Sequence, residues 1–346
     1  MAIYQLNPLS DARWGEFIGL HPHASIFHTT GWLGALHSTY GYQPLALTTS
    51  APREALKNAV VFCRVESHLT GSRLVSLPFA DHCEPLVENS AELESMLSFP
   101  LTEFGKAGWK YIELRPLHVV PDGLAGFHND RKFSLHTLDL QPSLDNLYNS
   151  FHKDSVRRKI TRAGKEGLVI EEGDSQSLLD HFYRLLVLAR RRHKLPPQPK
   201  QWFRNLIRTL PGALRIHVAY YKRQPIAAIL TLRFKHVQIY KYGCSDAKYH
   251  SLGGMHALFW RAIQDAKRDG LQLFDFGRSD SGNTGLLAFK NRWGTSQSTI
   301  TYLRYPPSDE SETHQSLARR VAGELFARMP DRVLTTVGNL LYRHMG

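Results

Sequence analysis

Ala262-Ile-Gln-Asp-Ala-Lys-Arg-Asp-Gly270 runs straight into Leu271-Gln-Leu-Phe-Asp275. The first segment has amphipathic helical character and stops at glycine, the residue that most readily takes the left-handed conformation closing a helix. The second reads as a strand. A fainter copy lies upstream, where Leu101-Thr-Glu-Phe-Gly-Lys-Ala-Gly108 yields to Trp109-Lys-Tyr-Ile-Glu113, and in both an acid stands five residues after the glycine, Glu113 or Asp275. Earlier in each half two strands flank a polar turn: 45–48 and 59–64 around 50–58, then 216–220 and 227–233 around 222–225. The pattern predicts a duplicated α/β (α+β) unit, with coincidence between two unrelated α/β halves as the alternative.

The chain of 346 residues is long enough for two ordinary domains, and its 42% hydrophobic content excludes a disordered tail or a disulfide-stapled mini-domain. The join is expected near Gln141 to Asn146, where proline and a serine N-cap precede Leu147. The first domain is then 1–145, completed by the tail 306–346, and the second is 146–305. Tyr305-Pro-Pro-Ser-Asp-Glu-Ser-Glu312 reads as a stiff linker, and 314–329 and 333–342 as short helices that pack back on the first domain.

Three cysteines, Cys63, Cys83 and Cys244, predict reduced thiols. The first ten residues carry neither the basic nor the apolar run of an export signal, and no apolar run approaches the ~20 residues of a membrane span. The expectation is a cytoplasmic protein, with peripheral contact at the inner face of a membrane as the furthest departure.

Charge is concentrated. Of the net +12, the segment 151–215 supplies +9, with fifteen Lys/Arg against six Asp/Glu. On a helix Arg158, Arg162 and Lys165 share one face, which repels itself unless solvated or turned to an anion such as phosphate. A solvated surface helix is the bland alternative. Arg190-Arg191-Arg192-His193-Lys194 closes another helix, where the dipole itself favours cations.

Two further stretches bear on chemistry. In Pro78-Phe-Ala-Asp81-His82-Cys83-Glu84-Pro85 four consecutive ligand types diverge along any regular backbone, so no metal site is expected there. Asp81 can instead serve as a general base or bind a substrate amine. Gly253-Gly254, before Met255-His256 and a long helix, lets main-chain N–H groups approach an anion. Asp275-Phe-Gly277 lacks the companions of a kinase motif. No GxSxG, Walker, HExxH or GxGxxG pattern is present, which argues against hydrolase, NTPase, zinc-protease and dinucleotide readings. A positive, glycine-assisted group-transfer site remains.

The order Phe151-x6-Arg158-x3-Arg162-Ala-x-Lys165-x-Gly167, Phe182-Tyr183-x-Leu185, Pro225-Ile-Ala227, Asp275-Phe-Gly277 and Phe289-Lys290-x-x-Trp293-Gly294 resembles the FemAB-like branch of the GNAT acyltransferase superfamily. More narrowly, Pro78 to Pro85 and the final Leu341-Tyr-Arg-His-Met-Gly346 resemble the FemAB-related proteins of exopolysaccharide and PEP-CTERM systems. The resemblance implies two tandem GNAT-like domains, each a mixed twisted sheet flanked by helices, with the tail returning to the first. It implies transfer of an acyl or aminoacyl group to an amine on a cell-envelope glycan or peptidoglycan precursor. No bound cofactor is expected. The acyl donor is a phosphate-bearing co-substrate, aminoacyl-tRNA or acyl-CoA, and the acceptor a nucleotide- or lipid-linked saccharide. In Fem-like ligases the lysine of the Phe-Lys pair stabilises charge during transfer, which points to Lys290 beside Phe289. Asp81 then accepts the amine proton, Arg278 assists Lys290, Asp275 lies in the same site, and Arg158, Arg162, Lys165, Gly253 and Gly254 hold phosphates. Two departures stand out: His250-Ser-Leu-Gly253-Gly254-Met255 keeps only part of the usual GNAT pyrophosphate loop, and the coiled-coil arm of some Fem ligases is missing. Rival classes are an acyl-CoA-dependent N-acetyltransferase, a non-catalytic RNA-binding protein using the basic segment with Tyr183 and Trp202, and a peripheral membrane protein anchored by the tail.

Overall fold

The computed structural model describes residues 2–118, 124–308 and 317–346. Its strands are β1 Tyr4–Leu6, β2 Gln43–Thr48, β3 Val60–Val65, β4 Arg73–Val75, β5 Ile112–Leu114, β6 His128–Asp139, β7 Val169–Gly173, β8 Leu214–Tyr221, β9 Gln224–Phe234, β10 Val237–Ser245, β11 Leu273–Asp280 and β12 Ser296–Tyr305. Two compact units emerge. One comprises Met1–Phe133, Ile300–Gln315 and Asn339–Gly346; the other comprises Ser134–Thr299 and Ser316–Gly338.

The duplication is visible in strand order. In the first unit β2 and β3, then β3 and β4, pair antiparallel, and β4 pairs parallel with β5. In the second, β8 and β9, then β9 and β10, pair antiparallel, and β10 pairs parallel with β11. A parallel pair needs a crossover, and each has the helix the sequence indicated: Ser90–Ala107 between β4 and β5, Gly254–Arg268 between β10 and β11. Gly108 and Gly270 both have positive φ, as the helix-ending role demands. The two acids are equivalent in register too. Val75 pairs with Glu113 and Ile239 with Asp275, each the last residue pair of its parallel ladder.

Each unit has its own core. Leu47, Phe62, Leu74, Met96 and Ile112 fill the first. Phe151, Ile229, Phe259, Phe276 and Trp293 fill the second, where the Trp293 ring lies 5.0 Å from Phe151 and 5.5 Å from Phe259. Each such side chain contributes roughly 1.5–3 kcal/mol on burial.

The tail departs from the expectation that all of 306–346 completes the first domain. Helix Leu317–Arg328 and most of Asp331–Leu341 cluster with the second unit, while 306–308 and Asn339–Gly346 cluster with the first. The reason is partly electrostatic: Arg191 donates to the Met329 carbonyl at 3.0 Å and pairs with Asp331, while Lys194 pairs with Glu324. The final residues dock through Arg73, whose guanidinium donates to the carbonyls of Gly346 at 2.6 Å and His344 at 2.8 Å. The join expected at 141–146 also shifts, because the division falls inside β6, between Phe133 and Ser134. The linker expected from Tyr305 lies outside the described residues from Asp309 onward, as does the start of the helix expected at His314. Among the described residues no helix is long and apolar enough to cross a membrane.

Gly338 shows how closely that tail helix packs, since a Cβ there would stand 2.1 Å from the Pro197 carbonyl oxygen. Gly338→Ala is expected to destabilise the second unit by about 1–3 kcal/mol. Chemical denaturation of the purified variant checks this, and an unchanged midpoint would contradict the packing.

Candidate active site in the second unit

The paired register of β10 and β11 runs from Val237↔Leu273 to Ile239↔Asp275, although β10 continues to Ser245 and β11 to Asp280. Where that pairing stops, β11 changes direction. Gly277 has φ +72°, a left-handed conformation that suits glycine. The Asp275 carboxylate accepts from the Gly277 N–H at 2.6 Å, and the Lys290 ammonium donates to the carbonyls of Gly277 at 2.6 Å and Arg278 at 3.2 Å. Asp275 is 4% and Lys290 1% exposed. The Phe-Lys lysine thus fixes the course of a strand. Beside it His136 Nε2 donates to Asn291 Oδ1 at 2.9 Å, its pKa lowered by burial and by Lys290.

Opposite this bend the Gly254–Arg268 helix begins. The first N–H groups of a helix have no intrahelical partner and carry the positive end of its dipole. Gly253 precedes it with φ +80°, and a Cβ at that position would stand 2.3 Å from the Lys159 carbonyl oxygen, so the glycine admits the Arg158–Lys165 helix. Gly254 packs on Ile226 and Ala227.

A cavity of about 230 Å³ opens at this helix start, lined among others by Lys159, Ser245, His250, His256 and Phe289. A second, of about 270 Å³, is lined by Arg190, Arg192, His193 and Lys241, and Ser245 and Met255 line both. The His256 ring stacks on Trp293 at 6.0 Å and meets the edge of Phe289 at 5.5 Å. Burial, aided by the Lys159 charge, holds its pKa down to about 4, so the imidazole is neutral at pH 7. Ser245 Oγ lies 2.9 Å from His250 Nε2, and Arg192 donates to the Ser245 carbonyl at 3.1 Å. His250 is also shifted down, by burial and then by Arg192.

The residues singled out from sequence fall in several places. Asp275, Lys290 and Arg278 meet at the β11 bend; Phe289, Gly253 and Gly254 stand at the helix start. Asp81 belongs to the first unit, where the Tyr302 hydroxyl donates to its main-chain carbonyl at 2.6 Å. Arg158 and Arg162 are exposed and paired with flanking acids of their own segment, Asp154 at 3.7 Å and Glu166 at 3.3 Å. With Lys165, Lys153 and Arg157 they line an open depression of about 490 Å³. Helical spacing picked that outer face, whereas the cavity receives the neighbouring Lys159. His256 and Ser245 were missed as well: His256 lies inside the glycine-led segment, but nothing in its spacing showed that it faces a cavity.

Residues 150–291 match the family model described as the acetyltransferase (GNAT) domain. The matched span lies within the second unit. No curated protein matches the chain. Among solved structures, FemX superposes with a TM-score of 0.67 at 16% identity, covering 87% of this chain and 97% of FemX. A tandem GNAT protein from the clavulanic acid biosynthesis pathway gives 0.56 at 12%, covering 89% and 99%. The C-terminal domain of a putative lysylphosphatidylglycerol synthetase from Agrobacterium fabrum gives 0.52 at 12%, covering 83% and 90%. The fold is therefore the one shared with FemX and with the tandem GNAT protein.

Two outcomes follow from the geometry of the second unit. Lys290→Met leaves two main-chain carbonyls without their ammonium donor and is expected to cost about 1–3 kcal/mol, measured by urea unfolding. His256 has a depressed folded-state pKa, so its contribution to stability is complete above the unfolded value of 6.5 and is lost as pH falls toward about 4. Melting temperature should fall across that window in the wild type, and less steeply in His256→Phe; parallel profiles would count against a buried neutral imidazole.

Proposed function

We propose that the protein is an N-acyltransferase of the FemAB-like type, joining an acyl or aminoacyl group to an amine of a cell-envelope glycan or peptidoglycan precursor. The observation that carries this reading is the cavity at the start of the Gly254–Arg268 helix, where neutral His256 stands with Lys159 beside the first-turn N–H groups, which have no intrahelical partner. Acyl transfer needs an acceptor for the amine proton and donors for the carbonyl oxygen as it becomes an oxyanion. In this reading the amine attacks the activated carbonyl, the first-turn N–H groups stabilise the oxyanion, His256 takes the proton, and the ester or thioester bond breaks to release the donor.

Lys159 pairs with a donor phosphate. Neutralising that charge removes one of the two causes that depress His256 and raises its basicity when donor is bound. The adjoining cavity with Arg190, Arg192 and Lys241 takes further phosphate, and Arg158, Arg162 and Lys165 extend the cationic surface for a longer polyanion. Proton acceptance thereby passes from Asp81 to His256. Lys290 acts as a positioning residue, keeping β11 and Arg278 in place. The match to the GNAT family and the fold shared with FemX support acyl transfer. A relative named for an aminoacylated phospholipid supports an aminoacyl donor over acyl-CoA, and so does the incomplete pyrophosphate loop.

The test offers the purified chain aminoacyl-tRNA and acyl-CoA separately, with nucleotide- and lipid-linked amino-sugar or peptide acceptors, and detects amide by mass spectrometry. Amide is expected from the aminoacyl-tRNA, with kcat about 10² to 10⁴ lower in His256→Ala and KM for the donor raised in Lys159→Ala. No amide from either donor, or full turnover in His256→Ala, would overturn the reading.

A further inference from the structure

Away from the cavity, three groups from three elements converge: Glu172 on the edge strand β7, His217 on β8, and Asp265 in the second half of the Gly254–Arg268 helix. One ligand atom from each lies within 4.8 Å of the other two. His217 is 2% and Asp265 7% exposed. Glu172 Oε2, His217 Nδ1 and Asp265 Oδ1 are buried and make no aligned hydrogen bond, with Arg268 2.7 Å from Asp265 Oδ1 as an ion-pair partner. His217 Nδ1 approaches Glu172 Oε2 at 3.2 Å, but without the alignment of a hydrogen bond.

Each group also has outer partners, which for Asp265 reach both carboxylate oxygens. His217 Nε2 lies 3.2 Å from Thr231 Oγ1, and that hydroxyl reaches the Arg215 carbonyl at 3.5 Å. With its proton directed to the carbonyl, Thr231 accepts from Nε2–H, which leaves the Nδ1 lone pair facing two carboxylates. Glu172 Oε1 takes Arg215 at 3.1 Å and Arg261 at 3.8 Å. Asp265 Oδ2 takes Arg261 at 2.8 Å, and Oδ1 has Arg268 at 2.7 Å. Lone pairs of an imidazole nitrogen and two carboxylates brought this close repel one another, and a cation among them relieves that repulsion. Orientation of each ligand by an outer partner, the ring by its second nitrogen above all, is the arrangement that accompanies metal ligation.

We propose that Glu172 Oε2, His217 Nδ1 and Asp265 Oδ1 bind a divalent transition metal, zinc, in a structural site. One nitrogen and two carboxylate oxygens suit zinc or cobalt over magnesium, which prefers six oxygens. The three arginines hold the carboxylates in place and oppose the dication, so affinity is expected below that of an all-acidic cage. Asp265 lies 11 residues beyond Gly254, ~16 Å along the helix axis at 1.5 Å per residue. The ion therefore ties the far end of the helix to the sheet edge and leaves the cavity at the near end untouched. This inference is independent of the acyltransferase reading.

The full chain, stripped with chelator, is titrated with cobalt(II) and zinc. One equivalent is expected, with a visible cobalt absorption that zinc displaces and a melting temperature raised by zinc. His217→Gln should abolish both signals. Thr231→Val, which removes only the outer partner of the ring, should weaken binding about 10- to 100-fold while the metal-free fold is kept, as checked by circular dichroism. If His217→Gln fails to fold, Thr231→Val alone decides. Metal uptake equal in wild type and Thr231→Val overturns the site. So does a wild-type chain that takes up neither ion.

Discussion

A buried ammonium must be surrounded by acceptors, and Lys290, 1% exposed, finds them in the main chain of β11. That single requirement shapes the second unit. The carbonyls of Gly277 and Arg278 are committed to the lysine, and the N–H of Gly277 to the Asp275 carboxylate. The strand bends at the only kind of residue that takes a left-handed conformation without strain. β11 and β10 stop pairing just before the bend, and the helix crossing between them starts beside a cavity instead of a closed sheet. Desolvation of an unpaired charge would cost several kcal/mol, so the bend and the lysine stand or fall together.

The same topological unit, built twice, serves two ends. In the first unit Glu113 occupies the register position of Asp275 but meets arginines instead of a strand bend: Arg115 at 2.7 Å and Arg131 at 2.6 Å. Its pKa is lowered because those two guanidinium groups outweigh burial. An acid at the end of the parallel ladder is common to both copies, and what it neutralises differs. The first copy closes over an ion-pair cluster; the second opens onto a cavity whose imidazole is kept neutral.

The basic excess divides in a similar way. Arg191 and Lys194 are spent on the C-terminal helices, and Arg158 and Arg162 lean on acids of their own segment. Lys159, Arg190, Arg192 and Lys241 line the two adjoining cavities. A charge run read as one patch is thus part scaffold and part site, because an arginine near an acid contributes little beyond the pair while one facing a cavity raises its potential.

Helix-ending glycines, strand-turn-strand patterns and the matching acids were legible because they are local: backbone preference and periodicity act within a few residues. They determined the repeated α/β unit, the elements of each copy and the segment that holds the site. The function of Lys290, the exposure of Arg158 and Arg162, and the cavity faces of His256 and Lys159 were not legible. Each depends on which direction a side chain takes once helices pack, and one residue along a helix turns a side chain by about 100°. The split of the tail between the two units, and the meeting of Glu172, His217 and Asp265 across nearly a hundred residues, were likewise decided by tertiary packing, since distance along the chain says nothing about which charges end up facing each other.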